Sequence, residues 1–233
     1  MASAIRTNKR RLNIVITAGP TREYLDTVRF ISNPSSGKMG YAIAHAAASA
    51  GHHVTLVSGP VAISPPPGVM VIQVETGAEM SRETKRAFKS ADAAILCAAV
   101  CDYRPAKAFE RKQPKSINGL SLLLVPTEDI AASLGKIKRN RITIGFALED
   151  HDGPAHALAK MQRKRFDAIV LNDLGNLGGD RASAVFMTAD GEREVWPPVS
   201  KAQMGRHIIR RLESLIAGAA GSRTSQRRPR RAK

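Results

Sequence analysis

The run Ala93-Ala-Ile-Leu-Cys-Ala-Ala-Val100 carries no charged or hydroxyl side chain. A strand solvated on one face alternates apolar and polar residues, whereas an unbroken apolar run suits a strand covered on both faces. Helical crossovers between parallel strands supply such cover. The punctuation of the chain repeats that unit. Residues 12–17 read as a first strand, and residues 37–50 as a small-residue helix with Ser36 as its N-cap and Gly51 as its stop. His53–Ser58 reads as a strand ended by Gly59-Pro60, followed by the stiff turn Ser64-Pro-Pro-Pro-Gly68 and a strand over 69–75. Thr76-Gly-Ala-Glu79 is a capping box opening a helix to about Ser90.

After the apolar run, residues 106–118 show no period and carry Lys107, Arg111, Lys112 and Lys115, which predicts a mobile loop or flap. A strand is expected over 120–125, and Thr127 can cap a short helix to Leu134. Strands follow over 141–148 and Ala168–Asp173, with a helix over 154–165 between them that has proline in its first turn. Residues 184–188 and 193–196 flank Ala189-Asp-Gly-Glu192, a hairpin signature, and residues 200–217 form the last helix. The fold class is α/β: a Rossmann-like, mostly parallel sheet with helices on both faces, plus a flap and a small β-hairpin. Such folds bind ligands at the carboxyl ends of their strands, so the loops after Thr17, Val100 and Asp173 should gather there.

The first of these loops, residues 18–36, far exceeds the ~2–6 residues usual between a strand and a helix. It ends in Phe30-Ile-Ser-Asn-Pro-Ser-Ser-Gly-Lys-Met-Gly40. Free N–H groups at a helix start can hold a phosphate. Known nucleotide signatures are nevertheless missing: there is no G-x-G-x-x-G, and Met39 stands where a Walker motif needs Ser or Thr. By spacing alone the chain is a phosphate or nucleotide binder. A Rossmann-like NAD(P)-binding oxidoreductase or sensor is the alternative reading, weakened by the absent fingerprint.

The net charge is +16 over 233 residues, and ten of those charges lie in residues 1–11 and 222–233, which contain no acidic residue. Domain bounds follow: a basic disordered arm over 1–11, one domain over 12–220 and a basic disordered tail over 221–233. The tails could attract nucleic acid weakly and without sequence choice. No apolar run reaches the ~20 residues of a membrane span, so no membrane partner and a cytoplasmic location are expected. Cys97 and Cys101 have no Cys/His pair to complete a zinc site, and the six histidines form no ligand pattern.

Thr17-Ala-Gly-Pro-Thr-Arg-Glu23 followed by Val28-Arg-Phe-Ile-Ser-Asn-Pro-Ser-Ser-Gly-Lys-Met-Gly40 closely resembles the phosphopantothenate–cysteine ligase family. The resemblance continues through Ala98-Ala-Val-Cys-Asp-Tyr-Arg-Pro105, Pro126-Thr-Glu-Asp-Ile130, Gly145-Phe-Ala147 and Lys160-Met-Gln-Arg-Lys164, running to Asp173. It implies ligation of 4′-phosphopantothenate to L-cysteine through an acyl-cytidylate, with CTP as cosubstrate, Mg²⁺ on the nucleotide and no flavin. It also implies a stand-alone ligase, a homodimer, and a separate phosphopantothenoylcysteine decarboxylase as a partner.

Carried over residue by residue, the resemblance makes Asn33 and Lys112 catalytic. Asn33 would act on the acyl-cytidylate, and Lys112 would neutralise phosphate charge during activation. Nucleotide binding falls to Gly19, Ser35, Gly37, Gly40, Leu96, Cys97, Ala98, Asp102, Lys112, Glu128, Asp129, Ile130, Ala131, Phe146, Lys160 and Lys164. Substrate binding falls to Asn33, Ala98, Ala99 and Asp102. No metal ligand is assigned. The flap segment reads Lys112-Gln-Pro-Lys115, with Pro114 where the family carries lysine. Cys101 stands where a small residue is usual and reads as packing, not as a nucleophile.

Overall fold

The computed structural model describes residues 10–149, 152–173 and 179–226. Six parallel strands form the body of an eight-stranded sheet: β1 (Asn13–Ala18), β4 (His53–Ser58), β5 (Val69–Gln73), β6 (Ala93–Leu96), β9 (Ile142–Glu149) and β10 (Ala168–Asp173). The antiparallel hairpin β11 (Arg181–Thr188) and β12 (Arg193–Ser200) extends one edge, giving the order β12-β11-β10-β9-β6-β1-β4-β5. The fold class therefore stands as expected.

Alternation along β1 shows why both faces need cover. Ile14, Ile16 and Ala18 point to α1 (Lys38–Ser49) and α5 (Lys201–Gln226), while Val15 points to α2 (Gly77–Phe88) and α3 (Ile130–Ile137). A third cluster lies under α4 (Gly153–Lys164), around Met161, Phe166 and Ile169. Ile14, Ile16, Ile95 and Ile144 are almost wholly buried, each worth about 1.5–3 kcal/mol of transfer free energy. Among the described residues no helix is long and apolar enough to cross a membrane.

The capping box forms as read. The Glu79 amide donates to Thr76 Oγ1 at 3.2 Å, and the Thr76 amide donates to the Glu79 carboxylate at 3.3 Å. Thr76→Ala is expected to cost about 1 kcal/mol and to lower Tm by about 2–4 °C in a thermal melt. An unchanged Tm would show that the box contributes nothing.

Several local expectations are corrected. The long loop after β1 is not structureless: β2 (Arg22–Tyr24) and β3 (Phe30–Ser32) pair antiparallel within it. Tyr24 and Phe30 meet edge to face, and Arg22 lies over the Phe30 ring. Three-residue strands gave too short an alternation to read. Gly37, not Ser36, is the N-cap of α1, which starts at Lys38. Gly37 adopts φ +74°, and a Cβ there would sit 2.6 Å from Val61 Cγ1, so glycine suits the position on both counts. Asp129, not Thr127, caps α3 by accepting from the Ala132 amide; the Thr127 hydroxyl instead donates to the Cys101 carbonyl.

The strand expected over 120–125 shrinks to β8 (Leu124–Pro126), which pairs with β7 (Tyr103–Pro105) outside the main sheet. Leu120 and Leu123 are exposed, so no second layer covers that apolar run. The apolar run 93–100 leaves the sheet after Leu96, and Ala99 bridges to Pro20. α5 continues to Gln226, inside the segment expected as a tail; the remainder of that tail and arm residues 1–9 lie outside the described residues. Arg10 pairs with Asp92 at 2.5 Å.

Candidate active site

Two crossing connections build the centre of the site at the carboxyl ends of β1 and β6. The Ala98 amide donates to Thr17 Oγ1 at 3.2 Å and the Ala99 amide to the Gly19 carbonyl at 2.9 Å. The Cys101 amide donates to Thr21 Oγ1 at 3.0 Å. The 97–101 segment is thereby laced to the 17–21 segment, and both lead into the residues marked by sequence.

Asn33, just beyond β3, reaches across this seam. Its Nδ2 donates to the carbonyls of Ala99 (3.2 Å) and Val100 (3.1 Å). Two carbonyl acceptors leave only the NH₂ end able to face them. The amide hydrogens are thus spent on the backbone, and donation to a reacting oxygen requires an exchange of partners. The Ser35 amide turns back to the Asn33 carbonyl at 2.8 Å. Gly40 lies buried in the first turn of α1, where a Cβ would stand 2.5 Å from Ala18 Cβ; the helix start can approach β1 only without a side chain there.

Lys112 is exposed, and among the described residues its ammonium meets no carboxylate. Asp102 is exposed too, its carbonyl accepting from the Thr127 amide. Leu96, Ala98 and Ala99 are half-buried on the same seam. Cys97 packs with Phe146 against the α1–α5 core, and burial pushes its thiol up to about 12. Burial also raises Cys101, whose sulfur rests on the Thr21 and Ile31 carbonyls. Neither thiol is poised as a thiolate.

The remaining marked residues divide. Lys164 Nζ pairs with Asp129 Oδ2 at 3.2 Å, joining α4 to the N-cap of α3. Lys160, one turn earlier on α4, also has an interaction partner. Ala131 is half-buried and packs on the cluster under α4. Ile130 is core, 6% exposed, in the cluster on which the seam residues Leu96, Ala98 and Val100 also pack.

Glu128 turns onto α2, accepting from Ser81 Oγ (2.7 Å), Ser133 Oγ (2.7 Å) and Lys85 Nζ. It lines the hollow between α2 and β8. The Lys85 ammonium, then the two hydroxyls, hold its carboxyl down at about 2. Because the folded value lies below the unfolded one, its stabilisation is present above pH ~4.3 and is lost as pH falls toward 2. Glu128→Gln is expected to lower Tm by a few degrees at most at pH 7, since the pair is partly solvated. The gap should narrow in melts taken below pH ~4.3. A gap unchanged at pH 3 would assign the effect to the hydroxyls and not to charge.

Two groupings escaped sequence reasoning. Lys38 Nζ meets Asp180 Oδ1 at 2.6 Å, and the Lys201 amide donates to the Asp180 carbonyl at 3.0 Å. Burial first, then the Lys38 charge, lowers the Lys201 ammonium. These residues are far apart in sequence, and no motif joins them. The second grouping is Asp26 with Arg29 and Gln113. Asp26 Oδ1 accepts the amides of Val28 and Arg29, an Asx-type turn that an Asp two residues before Val28 could have signalled.

Comparison with known proteins places this geometry among relatives. Residues 9–216 match the family described as DNA/pantothenate metabolism flavoprotein C-terminal domain. The chain is 38% identical over 208 residues to the coenzyme A biosynthesis bifunctional protein CoaBC of Bacillus subtilis (strain 168), covering 87% of this chain and 51% of that protein. It is 41% identical over 215 residues to a cysteine/cysteine sulfinic acid decarboxylase of an unknown prokaryotic organism, covering 90% of this chain and 59% of that protein. The chain thus spans about half the length of the curated relatives it matches. A crystal structure of the C-terminal domain of coenzyme A biosynthesis bifunctional protein CoaBC is similar with TM-score 0.80 at 36% identity, over 91% of this chain and 100% of that one.

Proposed function

We propose that this chain, which belongs to the DNA/pantothenate metabolism flavoprotein C-terminal domain family, ligates 4′-phosphopantothenate to L-cysteine at the expense of CTP. The observation that carries this reading is the seam itself: Asn33 and the 97–102 segment meet at the strand ends, beside the glycine-rich start of α1. The full-length likeness to a CoaBC C-terminal domain structure supports it.

The chemistry follows from the poor electrophilicity of a carboxylate. The carboxylate oxygen of phosphopantothenate attacks the α-phosphorus of the nucleotide, and the bond to the bridging oxygen breaks, releasing pyrophosphate. The acyl-cytidylate formed is a mixed anhydride. The cysteine amine then attacks its carbonyl carbon, CMP leaves, and the amine's proton passes to solvent. In the first step Lys112 is the exposed cation that meets the phosphate charge. In the second, Asn33 exchanges a backbone carbonyl for the developing oxyanion. The backbone N–H groups at the start of α1 hold phosphate oxygens.

Among the described residues no group of three or more His, Cys, Asp or Glu side chains is placed to hold a metal. Magnesium carried on nucleotide phosphates needs only one or two protein oxygens, and the exposed carboxylate of Asp102 is the hard donor on the seam. When bound, the ion would draw charge from the phosphates. A homodimer is part of the proposal, supported by the exposed apolar Phe30, Tyr103 and Leu124 on the two small sheets and Val28 in the turn between β2 and β3.

The test is pyrophosphate release by the purified protein with 4′-phosphopantothenate, cysteine, Mg²⁺ and either CTP or ATP. Release that requires phosphopantothenate, with phosphopantothenoylcysteine seen by mass spectrometry, is expected with CTP. Release with ATP alone would overturn the nucleotide assignment, and none with either would overturn the ligase reading.

A further inference from the structure

The Asp26 side chain is fully buried, yet it is a carboxylate. Burying such a charge is tolerated only when donors surround it. Here five hydrogen bonds do so. Oδ1 accepts the amides of Val28 (2.9 Å) and Arg29 (2.8 Å). Oδ2 accepts Arg29 Nε (2.9 Å), Arg29 Nη2 (2.5 Å) and the amide of Gln113 (3.1 Å). The last partner is 87 residues away, in the flap segment. The Arg29 Nη2 group then donates onward to the Gln113 carbonyl at 2.7 Å.

Gln113 is therefore gripped at both its N–H and its C=O. The N–H belongs to the peptide unit that contains the Lys112 Cα, and a peptide unit is planar and rigid. Fixing that N–H fixes where the Lys112 side chain departs from the backbone. The C=O belongs to the peptide leading into Pro114, and a residue before proline is held extended. Pro114 thus stiffens the same point from the other side. A further tie, the Phe109 amide to the Leu25 carbonyl at 2.8 Å, anchors the segment one turn earlier. Beyond Pro114, among the described residues, the Gly119 and Asn118 amides donate to Ser116 alone. The segment expected as a mobile loop or flap therefore has a pinned root, and Lys112 stands on it.

We propose that Asp26 is a positioning residue for Lys112, acting through Arg29 and the Gln113 backbone to set where the lysine presents its charge. The inference rests on the ligase reading of Lys112. Nothing in the geometry brings Asp26 itself to the reacting atoms; its carboxylate has no exposed surface and its lone pairs are taken.

The experiment compares the wild type with Asp26→Ala, Lys112→Ala and the double variant, reading the two half-reactions separately. Asp26→Ala is expected to slow pyrophosphate release about tenfold to a hundredfold, the scale of a misplaced group. Cysteine transfer to preformed acyl-cytidylate should keep its wild-type rate. In the double variant the loss should match that of Lys112→Ala alone, since a positioning residue has nothing left to position. Equal slowing of both half-reactions, or additive losses, would overturn the proposal and leave Asp26 as a folding residue.

Amide hydrogen exchange at Gln113 supplies a readout independent of catalysis. Faster exchange in Asp26→Ala, with the core strands still protected, supports the clamp, and unchanged exchange overturns it. If the wild type releases no pyrophosphate, it is the ligase reading that falls, and the exchange result alone decides the clamp.

Discussion

Lys112→Ala is expected to slow nucleotide-dependent pyrophosphate release by about a thousandfold while leaving the fold intact. The expectation comes from the physical state of the side chain. It is exposed, among the described residues it meets no carboxylate, and its backbone is anchored beside Gln113. An unpaired cation on a fixed root is preorganised for charge that appears only as the reaction proceeds. Removing one such group typically costs ~10²–10³ in rate. Its exposure means that truncation leaves no cavity and no orphaned partner, so Tm should move little. Lys112→Arg should recover part of the rate, because charge persists while the compact ammonium geometry does not. Stopped assays with mass spectrometry of the intermediate decide the matter: acyl-cytidylate forming at the wild-type rate in Lys112→Ala would remove lysine from the activation step.

Asn33→Ala is expected to do the reverse. Pyrophosphate release should continue for one turnover, and acyl-cytidylate should then accumulate, with cysteine transfer slowed ~10²–10³-fold. Two features of the site motivate this. The Asn33 amide sits where the β3 loop meets the 97–102 segment, and its donors already serve two carbonyl oxygens. A group that satisfies carbonyl oxygens at rest is chemically suited to a developing oxyanion. The resting bonds are solvent-exposed, so their loss should cost only about 0.5–1.5 kcal/mol of stability. Asn33→Asp is the sharper probe. It preserves shape but places a carboxylate against the Ala99 and Val100 carbonyls, which should open the seam as well as stall transfer. Transfer at the wild-type rate in Asn33→Ala would refute the role. Together the two substitutions split the reaction at its intermediate, which a purely structural defect could not do.

Much of the architecture was legible because it is written in local periodicity. The apolar run beginning at Ala93 announced a strand covered on both faces, and Ala93, Ala94 and Ile95 are fully buried. Thr76 and Glu79 form their capping box because both partners lie within one turn of each other. Asp190-Gly191 turns the β11–β12 hairpin, with Gly191 at φ +96°. The β2–β3 pair was not legible: three residues per strand carry too little alternation, and the pair is held by Tyr24 bonding to Glu75, far away in sequence. Thr127 looked like the cap of α3; the Cys101 carbonyl, brought close only by folding, took its hydroxyl, and Asp129 caps the helix instead.

By itself, then, the sequence determined the order of the main-sheet strands and their helices, the α/β class, the family, and the segments that make up the candidate site. Each of these depends on side-chain type at short spacing. Only the tertiary structure decided which atoms of those segments face one another. It spent the Asn33 amide on two carbonyls, paired Glu128 with Lys85, set Ile130 in the core, and seated the Asp26 carboxylate on the Gln113 backbone. Hydrogen bonds and ion pairs are directional contacts of a few ångströms between residues tens of positions apart. Their partners are chosen by how the sheet and its helices pack, and no local pattern encodes that choice.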